Sequence, residues 1–211
     1  MKVIDLSHPF RIDDMVFPGT ESMSFRSTQT IDKDQYNLGL ATINTHANTH
    51  TDAPYHYIKS GKTLGEVDIN RYVGEAVVVD CRNRKENEVI GPDDMKPYED
   101  QIKAAKRVLI CTDWYKRFNT KEYFTDYQRI SLECAEYLSS LGILLIGVEA
   151  PTLNSEIHVA IHKQFLENNI AVIEGLTNLD QLLNRKFTFC SAPIAFIGVD
   201  GFPVRAYAIL N

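Results

Sequence analysis

The sequence is short of several things that mark large function classes. Lysine and arginine number 22 against 28 aspartates and glutamates, giving a formal net charge of −6. No basic stripe offsets that deficit, so the chain is not expected to hold nucleic acid, whose backbone is met by clustered cations. The longest apolar run, residues 141–148, falls far below the roughly 20 residues that span a bilayer. No basic amphipathic segment offers itself to a membrane surface. One lysine followed by polar residues does not make a signal peptide, and a cytoplasmic location is expected. Cys81, Cys111, Cys134 and Cys190 are far apart and form no C-x-x-C pair. They read as buried free thiols in a reduced protein. Internal repeats, linkers and low-complexity segments are also missing, so residues 1–211 read as one domain of ordinary globular composition, with 44% apolar residues.

Histidine is unevenly spent. Of six, three fall in the eleven residues His46-Ala47-Asn48-Thr49-His50-Thr51-Asp52-Ala53-Pro54-Tyr55-His56. Histidine and aspartate are the usual ligands of zinc and related divalent metals. His50, Asp52 and His56 share one parity, so an extended segment points them to one face. A straight strand holds His46 and Asp52 roughly 20 Å apart, too far for two side chains to share an ion. Sharing therefore demands a bend, and Pro54 with three threonines disfavours a helix as its source. A tight loop at Ala47-Asn48-Thr49 meets the demand, because asparagine tolerates positive φ. The alternative is a polar loop whose histidines merely cap backbone groups.

Elsewhere the chain alternates. Residues 3–6 read as a first strand, and 11–24 as a long loop of the kind that often carries function. In that loop Phe17 is either held over a site or anchored in a core. Residues 36–45 read as a strand feeding His46, and 66–72 as a short helix. Residues 76–81, 107–112 and 143–148 are apolar runs that read as buried strands. The second runs into Asp113-Trp114-Tyr115, which faces a ligand crevice or anchors a loop. Pro92 opens a short helix. Ser131 caps a helix carrying Leu132, Ala135, Leu138 and Leu141 on one face, closed by Gly142. Ser155 starts another, with His158 and His162 on one face. Residues 170–173 form a strand, and Glu174 after four apolar residues needs a partner or a metal unless it is solvated. Asn178 caps a short helix. Asp200-Gly201 reads as a hairpin turn between strands at 193–198 and 204–210.

His46-x-x-Thr49-His50-x-Asp52-Ala53-Pro54-x-His56 resembles the signature of the metal-dependent cyclase family, which includes bacterial kynurenine formamidases and isatin hydrolases. The usual form is His-x-Gly-Thr-His-x-Asp-x-Pro-x-His, and Asn48 stands where glycine is usual. Ile4-Asp5-Leu6-Ser7-His8-Pro9 and Phe17-Pro18-Gly19 are similar to the family's opening. Glu149-Ala150-Pro151-Thr152 departs from its usual aspartate, small residue, proline and serine. The resemblance implies an α/β protein with a swivelling β/β/α fold and a mixed sheet, assembled as a homodimer or homotetramer. It implies a metal-dependent hydrolase acting on a small amide, formamide or cyclic amide. Kynurenine formamidase activity specifically, or a cyclase or lyase reaction on a carbonyl compound, is the alternative. His46, His50 and Asp52 would hold a first divalent ion, and Asp52, Glu174 and His162 a second. Zinc comes first as that ion and manganese next, with one or two per subunit. His56 takes the place of the family's acid/base residue, which a mere metal-storage module would not need. Phe17 stands where a tryptophan often lines the substrate pocket, keeping a ring but losing the indole N–H. His158 is expected beside the site or at the surface.

Overall fold

Apolar runs without alternation predict strands covered on both faces, and the layering bears this out. In the computed structural model, which describes residues 1–210, Val77 and Val79 pack toward helices while Val78 packs toward a second sheet. The same split recurs at Val108 and Ile110 against Leu109, and at Ile146 against Leu145. A six-stranded sheet thus lies between helices and a four-stranded sheet, a β/β/α arrangement. Its strands run in the order Gly201–Pro203, His50–Asp52, Ala171–Glu174, Leu145–Val148, Arg107–Cys111 and Val77–Asp80. The last four are parallel, and the first two are antiparallel to their neighbours, so the sheet is mixed. The second sheet, Lys2–Asp5, Tyr207–Leu210, Phe187–Cys190 and Val73–Glu75, is antiparallel throughout.

Helices Glu99–Ala105, Leu132–Ser140 and His158–Glu167 cover the other face through Ile102, Leu138, Ile161 and Phe165. Ser131 Oγ accepts the Cys134 amide at 3.0 Å and Gly142 takes φ +71°, as the sequence predicts for that helix. The helix of His158 and His162 starts later than expected, at His158. The Ser155 amide is instead taken by the Tyr127 hydroxyl at 2.7 Å. In place of one short helix over 66–72 the chain makes two short 3₁₀ turns, Leu64–Glu66 and Ile69–Arg71. Asn178 sits at φ +58° and its side-chain amide donates to the Asp5 carbonyl rather than capping the turn it precedes. All four cysteines are buried and free. Among the described residues no helix is long and apolar enough to cross a membrane.

One expected strand is present but stands apart from the main sheets, and another is absent. The strand feeding His46 exists at Leu38–Thr42 but joins neither main sheet. It pairs with Ser24–Gln29 in a hairpin arm that presents Phe25, Leu38 and Leu40 to solvent. Residues 193–198 form no strand, so Asp200-Gly201 is not a hairpin turn. Gly201 instead pairs opposite Asp52 in the six-stranded sheet. Its glycine serves close approach, since a Cβ would lie 2.7 Å from the His46 ring and 2.8 Å from the Thr51 carbonyl.

Candidate metal centre

The bend required between His46 and Asp52 is present, with Asn48 at φ +54°. Beyond it, His50–Asp52 enters the sheet between Ala171–Glu174 and Gly201–Pro203, with His50 directly opposite Glu174. These residues lie at the carboxyl end of the parallel strands, where open α/β sheets form their crevices. His162 reaches the same point from its helix, its Nε2 3.1 Å from Glu174 Oε1 and 3.5 Å from Asp52 Oδ2. His50 Nε2 lies 3.4 Å from Glu174 Oε2 and 3.5 Å from Asp52 Oδ1. His46 Nδ1 is 2.9 Å from Asp52 Oδ1. The structure therefore brings together all five side chains singled out as ligands. His50, Asp52, His162 and Glu174 are buried, while His46 keeps a partly exposed edge.

The donor chemistry suits a cation. His50 Nδ1 donates to the Asn48 carbonyl at 3.0 Å, and His162 Nδ1 to the His158 carbonyl at 2.6 Å. Such second contacts place the N–H on Nδ1 and turn the Nε2 lone pair inward. His50 Nε2 and Asp52 Oδ2 are buried with no hydrogen-bond partner among the described residues, although buried polar atoms are normally paired. Lone pairs facing carboxylates need a proton or a metal between them. Without a metal, protons fill the gap. Burial opposes charge on His46 and His50. The carboxylates outweigh it, Asp200 and Asp52 raising His46 to about 9 and Asp52 and Glu174 raising His50 to about 10. Burial likewise opposes ionisation of Asp52 and Glu174, but their histidine partners hold both below the usual carboxylate range. A divalent ion entering the site must displace these protons, so its capture releases them.

Two groups of potential ligand atoms lie within 4.8 Å of one another, His46 with Asp52 and His56, and His50 with Asp52 and Glu174. Asp52 belongs to both. Glu174 is braced from behind by the Leu153 amide, which donates to Oε1 at 2.9 Å.

One residue escaped the sequence reading. Asp200 Oδ2 accepts from His46 Nε2 at 2.9 Å and lies 3.3 Å from His56 Nδ1. Hydrogen bonds from those two rings hold its carboxyl well below the ordinary range despite partial burial. The only trace in the sequence was an acidic residue before a glycine, which a turn explains equally well. The His46 and His56 rings stack at 3.9 Å. With Nδ1 of His56 against Asp200, Nε2 is the nitrogen left for a ligand in the cavity.

That cavity measures about 460 Å³ and is lined by His46, His50, His56, His162 and Glu174, and by Phe17. Phe17 is 37% exposed and meets Phe124 edge-on at 5.8 Å. Tyr57 stacks on His162 at 4.5 Å, and its hydroxyl lies 3.3 Å from Nδ1 of the exposed His158, which forms part of the wall. Trp114 is a loop anchor: it is buried, and its Nε1 donates to the Tyr123 carbonyl at 3.1 Å. Glu149 turns away from the cavity and accepts the Thr112 and Trp114 amides, with burial pushing its carboxyl up to about 7.

Known proteins resemble this chain in sequence and in fold. Residues 4–155 match the family model described as putative cyclase. A kynurenine formamidase of Bacillus mycoides (strain KBAB4) is 30% identical over 206 residues, covering 96% of this chain and 95% of that protein. Isatin hydrolase A from Labrenzia aggregata superimposes with a TM-score of 0.88 at 22% identity, over 99% of this chain and 93% of that one. A structure described as a potential metal-dependent hydrolase with cyclase activity gives 0.79 at 22% identity, over 98% and 96%. The last two likenesses establish a shared fold. The family match and the formamidase relative, each spanning most of this chain, establish descent: the chain belongs to the cyclase family.

Proposed function

We propose that this chain is a metal-dependent hydrolase of carbon–nitrogen bonds other than peptide bonds, acting on a small amide, formamide or cyclic amide. The observation that carries the reading is the cluster of buried His50, Asp52, His162 and Glu174 with the partly exposed His46, where unpartnered His50 Nε2 and Asp52 Oδ2 lie beside an open cavity that also holds His56. Mixed imidazole and carboxylate donors favour zinc first and manganese next, as one or two ions per subunit. A divalent ion bound there supplies a Lewis acid that polarises a carbonyl and lowers the pKa of water to near 7. The protein's own groups do the rest. Asp200 holds His56 with its proton on Nδ1, leaving Nε2 to take a proton from the attacking water and deliver it to the leaving nitrogen. Phe17 offers a ring face to the substrate, worth about 0.5–1.5 kcal/mol beyond area burial when it stacks.

Among the described residues no lysine or arginine lines the cavity. That favours an uncharged amide over an amino-acid substrate whose carboxylate needs a cation. Kynurenine formamidase activity is the second reading, favoured by the 30% identical relative that bears that name. Assay of metal-reconstituted protein with isatin, simple lactams and N-formylkynurenine side by side separates the two. Turnover of the neutral cyclic amides is expected. A kcat/KM above about 10⁴ M⁻¹s⁻¹ on N-formylkynurenine, the low end of ordinary enzymes, would favour the second reading. No amide turnover with metal bound would end both, and a product without added water would point to a lyase or cyclase.

The active form is proposed to be a homodimer or homotetramer. The arm of Ser24–Gln29 and Leu38–Thr42 exposes Phe25, Ile31, Tyr36, Leu38 and Leu40, and a lone two-stranded hairpin is marginal in water. A second copy laid over the arm removes that apolar surface. Light scattering at micromolar concentration is expected to give at least twice the chain mass, and a monomeric mass would refute the assembly.

A further inference from the structure

The loop that carries Phe17 meets the ligand loop along a short seam. The His8 amide donates to Thr49 Oγ1 at 3.0 Å, and Thr49 Oγ1 donates to the Gly175 carbonyl. Beside it, Asn48 Nδ2 donates to Asp14 Oδ2 at 3.0 Å and to the Pro9 carbonyl at 3.4 Å. Asp14 is buried, and its Oδ2 also accepts the Arg11 amide at 2.9 Å, so one carboxylate oxygen fixes two points of the loop. The Asn48 carbonyl meanwhile takes the Nδ1 proton of His50. Gly175, next to Glu174, lets that carbonyl approach closely, because a Cβ there would lie 2.5 Å from it. The backbone at Asn48 needs only a residue that accepts positive φ, which glycine does more readily. The side chain is an addition, and it points into the seam.

We propose that Asn48 is a positioning residue: through Asp14 it fastens the Phe17 loop to the ligand loop, so that the ring holding the substrate sits at a fixed offset from the metal centre. The proposal rests on the hydrolase reading above. Asn48→Gly keeps the backbone and the carbonyl that orients His50 and removes only the tether. Its KM is expected to rise about 3- to 10-fold, the scale of one hydrogen bond, with kcat within about twofold of wild type and metal content unchanged. Amide hydrogen exchange across residues 11–17, read on the metal-loaded protein without substrate, should quicken. Asp14→Ala should reproduce both changes, and the double variant should add little to either single one, as expected of partners in one contact. Unchanged exchange in both single variants would overturn the proposal. So would loss of metal and kcat in Asn48→Gly at constant KM, because Asn48 would then act through His50 alone. A wild-type protein without amide turnover would refute the hydrolase reading, while the exchange measurement would still decide the tether.

Discussion

Asp52→Ala is expected to lose bound metal and all measurable turnover. Asp52 is the one side chain common to both groups of potential ligand atoms, with one oxygen toward His46 and the other toward His162. Disturbing only the outer partners of a metal's ligands typically costs about 10–100-fold in affinity, and removing a carboxylate that faces both positions should exceed that. The variant also leaves the partly exposed His46 with Asp200 alone, and the buried His50 with Glu174 alone, to support their charge, and breaking a buried pair commonly costs about 3–5 kcal/mol. Circular dichroism must therefore accompany the metal measurement. Folded Asp52→Ala that retains wild-type metal by mass spectrometry would disprove the ligand assignment.

His56→Ala should keep its metal and lose about 10²–10⁴-fold in kcat, the usual contribution of a positioned acid or base. Two observations pull in different directions here. His56 lies close enough to His46 and Asp52 to join a metal, yet its Nδ1 is turned to Asp200 and its ring is stacked on His46. The shuttle role requires the second arrangement to persist when the ion is bound. Metal lost in proportion to activity would make His56 a ligand and leave the proton transfer to another group.

Much of this centre was written locally. The ligand loop announced itself because its histidines and Asp52 are neighbours in sequence, and because their spacing forced a bend that Asn48 supplies. Glu174 stood out as a charge directly after an apolar strand. Asp200 did not, because its partners His46 and His56 lie 154 and 144 residues away and nothing near it in sequence betrays them. The aspartate-glycine pair gave a sufficient local explanation, and the need for a bare backbone against the His46 ring is visible only in three dimensions. The strand Ser24–Gln29 was missed for a related reason. It is exposed on nearly all sides, so no alternation of apolar and polar residues marks it. The layering was legible as unbroken apolar runs, but strand order depends on crossovers that local pattern does not encode.

The position of His50–Asp52 in the sheet has a consequence for the order in which the protein is made. This strand appears early in synthesis, yet its two sheet neighbours, Ala171–Glu174 and Gly201–Pro203, come from the last fifth of the chain. Loop-closure entropy must be met before such distant pairings give anything back. The nascent ligand loop therefore waits beside the ribosome with histidines and one aspartate but without Glu174, His162 or Asp200. The full set of facing side chains exists only in the finished chain, once His50–Asp52 has paired with both neighbours.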